Sequence, residues 1–396
     1  MKITAIIAEY NPFHNGHAYQ IEQIRRQSED TCILALMSGN FVQHGEPAVF
    51  NKFFRARLAL LGGADIVLEL PAGFSLQSAS GFASGAVRIL NALHCVDTLN
   101  FGSECGNLDV LQSAAQKIVL QETEWNTAVR SALLSGVSYQ QAAVQALQQF
   151  APGADLAQSN NLLALEYLIA LLRTKSNIRP ETVYRKSSGF NDTIISGPFA
   201  SATAIRSALS AGNTEQLSVS VPRAVFQAIN EYLQTENPVF LADYYEYILY
   251  ALRCHTPQTL QKIQSVSEGY EHRILQCAKT AASFEEFLDS LMTKRYSKRR
   301  IQRILASVLL QITHEEIKSY NTDRHLYARV LGFRKTSKRA LALIAQNTSI
   351  PLYTRVSGFD RKNPLLAKEI FASGIYALGQ KNRAANMDLT HQMIIL

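Results

Sequence analysis

Twelve residues near the start of the chain, EYNPFHNGHAYQ (Glu9–Gln20), carry its densest chemistry. His14 and His17 are separated only by Asn15 and Gly16, after an apolar run and at the start of a helical one. Two imidazoles beside the unpaired N–H groups of a helix N-terminus make a site for anions. Gly16 lets a base or phosphate approach the backbone closely. Histidines so placed can donate hydrogen bonds to a transferring phosphate and to a departing pyrophosphate. Two histidines without a third His or Cys nearby are too few for a metal, so no protein-held metal is expected. The alternative is a plain helix cap.

Two further groups could act on phosphates. In ASATAIR, Ser201 is a good N-cap for a helix starting near Ala202, Thr203 adds a second hydroxyl, and Arg206 can neutralise phosphate oxygens. In TKRYSKRRIQR, Lys294, Arg295, Lys298, Arg299, Arg300 and Arg303 crowd into eleven residues. The net charge is +7, yet residues 291–340 alone hold 13 Lys and Arg against 3 acids. The rest of the chain is therefore slightly acidic, and a basic segment on such a body points to a polyanion partner. At helical spacing Arg295, Arg299 and Arg303 (or Arg300) share a face that could follow an RNA backbone. A solvated helix face is the competing reading. Arg334, Lys335, Lys338 and Arg339 form a second cluster; Tyr296 could stack on a base, although packing is the commoner use of a lone tyrosine.

The elements that must position these residues alternate. Ile3–Ala8, Cys32–Met37, Ile66–Leu70 and Thr98–Phe101 read as buried strands; Ala18–Gln27, Lys52–Leu61 and Leu76–Leu93 read as helices. Such alternation predicts an α/β fold with a parallel sheet whose ligands bind at the carboxyl ends of the strands. The loops Glu9–His17, Ser38–Pro47, Glu69–Gly73 and Gly102–Gly106 should converge there. Helices follow, a further strand is expected at Glu181–Lys186, and from Pro222 the pattern is amphipathic helix until Tyr327–Leu396, where short strands are possible. Hydrophobic residues make up 47% of the sequence, which excludes a disordered chain, and no apolar run reaches the roughly 18 residues of a membrane span. Five scattered cysteines without a CxxC pair suit a reducing cytoplasm.

HNGH resembles the His-x-Gly-His signature of the nucleotidyltransferase superfamily, and SATAIR its Ser-x-Thr-x-x-Arg signature. The superfamily forms adenylates from ATP on a Rossmann-like fold. EYNPFHNGH, MSGNFVQHGEPAVFNKFFRA, ADIVLELP, NFGSE, SNNLLALEYL and TKRYSKRRIQR, in that order over nearly the whole chain, together resemble the bacterial tRNA(Met) cytidine acetate ligases. The resemblance implies a Rossmann-like domain, residues 1–219, that turns acetate and ATP into acetyl-adenylate and pyrophosphate. A mainly helical domain, residues 220–396, would bind elongator tRNA(Met), whose wobble cytidine takes the acetyl group on N4. Mg²⁺ would travel with ATP, and neither a membrane nor a protein partner is implied.

The resemblance also implies roles for single residues. His14, His17, Ser201, Thr203 and Arg206 would be catalytic. Ile7, Ala8, Glu9, Tyr10, Asn11, Pro12, Phe13, Asn15, Gly16, Gly102, Asn161, Arg185 and Lys186 would join the two histidines in holding ATP. Lys294, Arg295, Lys298, Arg299, Arg300 and Arg303 would hold tRNA, away from the nucleotide crevice. The family usually carries arginine where this chain has His44, which puts a charge role there in question. Lys52 and Arg55 could reach phosphates or RNA, or be solvated surface charges. Two other readings fit parts of the sequence: a small-molecule adenylyltransferase of the same superfamily, and a non-catalytic RNA-binding protein.

Overall fold

A computed structural model describes residues 1–185, 194–195, 197–267 and 269–396. Five strands, β1 (Lys2–Ala8), β2 (Thr31–Ser38), β3 (Ile66–Leu70), β4 (Thr98–Ser103) and β5 (Arg179–Tyr184), form a parallel sheet in the order β5-β4-β1-β2-β3. The mostly apolar sequences of the central strands β2 and β3 follow from burial on both faces, whereas the edge strand β5 (RPETVY) is largely half-exposed. In β2, Cys32, Leu34 and Leu36 enter one core, while Ile33, Ala35 and Met37 enter the other. Helices α1 (Asn15–Gln27) and α2 (Lys52–Leu61) make the first crossovers. The chain moves outward from β1 through β2 to β3, then returns to place β4 on the other side of β1. That reversal opens a crevice at the carboxyl ends of β1 and β4.

Most element boundaries lie within a few residues of expectation, and the displaced ones have local causes. Helix α1 starts at Asn15 rather than Ala18 because His14 is its N-cap. Strand β5 ends at Tyr184, its last partner being Ser103 of β4, so Arg185 lies just beyond the strand. The expected site residue Lys186 lies outside the described residues.

After residue 220 the chain is helical, but it then returns to the sheet. Strand β6 (Ala328–Phe333) pairs antiparallel with β3, while β7 (Leu352–Tyr353) and β8 (Ile394–Ile395) pair parallel with β6. The sheet therefore spans the 219/220 division. Among the described residues, no helix is long and apolar enough to cross a membrane.

Lys52 and Arg55 are neither surface charges nor phosphate ligands; both are 0% exposed. Arg55 donates to the carbonyls of Glu9, Ser38, Gly39 and Phe50, clamping the loops after β1 and β2 together. Lys52 Nζ meets Glu69 (2.5 Å), Asp388 (2.8 Å) and Glu369 (3.0 Å), and Arg329 closes the cluster through Asp388 (2.5 Å). A buried cation surrounded by carboxylates is tolerable where a cation left alone there would not be.

Candidate active site

At the switch point lies a cavity of about 630 Å³. Its floor is the end of β1 and the turn into α1, with Ile7, Ala8, Glu9, Tyr10, Asn11, His14, Gly16 and His17 on the wall. The His-x-Gly-His segment forms a reciprocal cap. The Gly16 N–H donates to His14 Nδ1 (3.0 Å), and the His14 N–H donates to His17 Nδ1 (3.2 Å). With each Nδ1 accepting, the hydrogen of a neutral ring sits on Nε2. The rings stack with centroids 3.7 Å apart, and Tyr10 packs edge-on against His17 at 4.7 Å. A Cβ on residue 16 would lie 2.8 Å from His14 Cε1, so glycine is what lets the two histidines share one turn.

Electrostatics keep that pair neutral. Burial, reinforced by Arg185 and Arg206, pushes His14 down to about 3. Burial, with His14 and Arg185 beside it, lowers His17 well below the ordinary imidazole value. At neutral pH both rings are therefore hydrogen-bond donors rather than cations. Glu9 behaves differently. Burial would raise its pKa, but His44, Arg206 and Arg299 override it and hold the carboxyl at about 2. Glu9 is bonded to His44 Nδ1 (2.9 Å to Oε2). His44 thus lines the crevice itself and is paired there with Glu9.

The Ser-x-Thr-x-x-Arg segment lies along the same cavity. Ser201 Oγ accepts from the Ala204 N–H (3.0 Å), capping the helix Ala202–Ser210. Arg206 donates to Thr203 Oγ1 and to the Asn11 carbonyl, both at 3.2 Å, so this helix is tied directly to the turn after β1. Arg206 Nε also lies 3.8 Å from Glu46. The hydroxyl of Tyr10 and Nδ2 of Asn11 are buried without a hydrogen-bond partner among the described residues.

Several expected contacts lie elsewhere. Pro12, Phe13, Asn15 and Asn161 do not line the cavity. Phe13 is wholly buried in the core, and the Asn15 side chain donates to the carbonyls of Pro198 and Val219. Asn161 Oδ1 accepts from the Glu104 and Cys105 N–H groups, bracing the turn after β4. Its neighbour Asn160 lines the cavity instead and accepts from Arg185 (2.9 Å). Gly102 and Arg185 are on the wall as expected, and a Cβ at 102 would lie 2.8 Å from Arg185 Cγ. The loop Glu69–Gly73 does not converge with the others; Glu69 enters the buried Lys52 cluster.

The basic run is divided. Lys294 and Lys298 are exposed and off the cavity, whereas Arg295, Arg299, Arg300 and Arg303 line it. The expected separation of these charges from the nucleotide crevice does not hold. Gly45 (φ +86°) brings the loop after β2 against the helix Lys298–Leu309, and Gln302 bonds to Glu46 at 2.7 Å. Tyr296 is packing: it stacks on Tyr270 with centroids 3.6 Å apart and lies under Arg300. The HGE tripeptide, Gly45 between His44 and Glu46, was the local trace of this junction in the sequence.

A parallel sheet with a capped His-x-Gly-His turn at its switch point, walled by arginines, defines the α/β nucleotidyltransferase class. Residues 1–391 match the family described as HIGH Nucleotidyl Transferase. A tRNA(Met) cytidine acetate ligase of Acetivibrio thermocellus is 38% identical over 415 residues, covering 100% of both chains. One of Geobacillus sp. is 38% identical over 382 residues, covering 95% of this chain and 94% of its own. A crystal structure of Thermotoga maritima TmcAL without ligand superposes with a TM-score of 0.94 at 32% identity, and one bound with alpha-thio ATP with 0.90 at 31%, each covering 100% of both chains. The chain belongs to the HIGH nucleotidyl transferase family and, within it, to the tRNA(Met) cytidine acetate ligases.

Proposed function

We propose that the protein, an ATP-dependent ligase, joins acetate to N4 of the wobble cytidine of elongator tRNA(Met) in the cytoplasm, in two steps within one crevice. In the first, an acetate oxygen attacks the α-phosphorus of ATP, the bond to the β-phosphate oxygen breaks, and pyrophosphate leaves. In the second, the N4 lone pair attacks the acetyl carbon, the bond to AMP breaks, and N4 loses a proton. The neutral His14–His17 pair carries this reading. Their Nε2–H groups donate to oxygens that gain charge in the transition state. Thr203 and Arg206 hold phosphate oxygens from the neighbouring helix, and Ser201 holds that helix in place as its cap. Mg²⁺ enters as the counter-ion of the ATP phosphates.

Acetate sits beside Tyr10 and Asn11, whose buried hydroxyl and amide lack partners among the described residues and can receive a carboxylate. Glu9, Gly16, Gly102 and Arg185 complete the nucleotide wall. The tRNA arrives over the 220–396 half, where Lys294, Arg295 and Lys298 are exposed, while the 1–219 half supplies the reacting groups. The experiment is incubation with isotopically labelled acetate, ATP and an elongator tRNA(Met) transcript, followed by nucleoside analysis. The expected product is labelled N4-acetylcytidine at the wobble position; label that stays off the tRNA contradicts the reading.

A further inference from the structure

The basic helix meets the crevice at a place that an RNA-binding role alone leaves unexplained. Among the described residues the cavity is lined by six arginines, Arg185, Arg206, Arg295, Arg299, Arg300 and Arg303, against two carboxylates, Glu9 and Glu166. Such a wall calls for an anion of several charges. The arginines also act electrostatically on one another and on the site. Arg206 acts on His14, Glu9 and Arg299; Arg299 acts on Glu9 and Arg303; Arg300 also acts on Arg303. Charge thus runs from the histidine pair along Arg206 to Arg299 and Arg303.

The backbone holds this line in place. Arg303 Nη1 donates to the Gln43 carbonyl (3.2 Å), and Gln302 holds Glu46, which in turn faces Arg206. At Gly45 any Cβ would sit 2.2 Å from the Arg303 backbone nitrogen, so the loop after β2 and the basic helix are in direct backbone contact. Burial, and then the guanidinium groups of Arg299 and Arg300, lower Arg303 to about 10. A bound polyanion would relieve that repulsion.

We propose that Arg299 and Arg303 are the β,γ-phosphate subsite of the ATP crevice and grip the pyrophosphate as it leaves, rather than serving as contacts to the tRNA backbone. The inference rests on the ATP-dependent reading above and assigns to the 220–396 half a role in the adenylation step itself. With the α-phosphate at His14 and His17, the rest of a triphosphate lies along Arg206, Arg299 and Arg303. The guanidinium fork suits phosphate oxygens in two-point contact.

The test uses the full-length protein with Arg299→Gln and Arg303→Gln, and with Arg299→Lys as the charge-preserving partner. Calorimetry reads the affinity for ATP and for inorganic pyrophosphate; filter binding reads tRNA affinity against salt. Each Gln variant should weaken ATP and pyrophosphate binding by roughly 10- to 100-fold, the loss expected of one charge-assisted hydrogen bond. Arg299→Lys should recover part of it, and AMP affinity should stay near that of the unaltered protein. The tRNA salt slope should change by less than one contact, about 0.7–0.9. Unchanged pyrophosphate affinity with a reduced tRNA salt slope would overturn the proposal. The unaltered protein's dependence on acetate tests the ligase reading separately, because the pyrophosphate titration needs neither acetate nor tRNA. Retained AMP affinity in the Gln variants distinguishes a lost phosphate contact from a misfolded crevice.

Discussion

His14 and His17 each use Nδ1 to accept a backbone N–H, which leaves Nε2–H as the chemical end of both rings. Replacing His17 by Ala should remove about 2–4 kcal/mol of transition-state stabilisation, the range for a donor aimed at developing charge. Acetyl-adenylate formation measured without tRNA reads this loss directly, and a near-normal rate would refute the role. Because the folded pKa of His14 is about 3, below the ordinary imidazole value, the pair stays neutral through the physiological range. The adenylation rate should therefore show no inflection near the usual histidine value of about 6.5 arising from this pair. The sign for stability follows: a lowered folded pKa contributes stability above the unfolded value, lost as pH falls from there through about 3. An acid unfolding series that shifts to lower pH in a His14→Gln protein would bear this out. A series unchanged by the substitution would contradict it.

At the scale of elements, α2 shows how far a side chain's role can depart from its local sequence. FNKFFRA offered two cations on a helix, and nothing nearby in sequence said that Lys52 would meet Glu69, Glu369 and Asp388. Two of those partners lie more than 300 residues away on the returning C-terminal segment. His-x-Gly-His was legible because its cap is made within four residues. The central strands β2 and β3 were legible because they are mostly apolar and buried on both faces. The destination of Arg299 and Arg303 was not legible, because it depends on a loop some 250 residues upstream docking on their helix. Lys52→Met should destabilise the fold by about 3–5 kcal/mol, leaving carboxylates buried without their cation. Burial, with Glu69 and Asp388 beside it, raises Glu369 to about 8 despite Lys52. A raised folded pKa gives stability that is present below the unfolded value and lost as pH rises through about 8. Denaturant midpoints measured on either side of that pH should fall on the alkaline side, and Glu369→Gln should flatten the fall.

Over the whole molecule, one sheet carries the crevice and both halves of the chain. Strand β6 covers the edge of β3, the Lys52 cluster joins α2 to the C-terminal helix Pro364–Ala377, and the basic helix closes the cavity. In the proposed function both halves of the chain therefore wall one crevice, and the acetyl group need not travel between separate domains. An adenylyltransferase acting on a phosphorylated cofactor precursor would use the same histidines but would need no free acid. The decisive measurement is ATP–pyrophosphate exchange by the full-length protein in the absence of tRNA, with and without acetate. The account predicts exchange that depends on acetate and is lost in His17→Ala. Exchange that ignores acetate, or that requires a phosphorylated precursor instead, would contradict it.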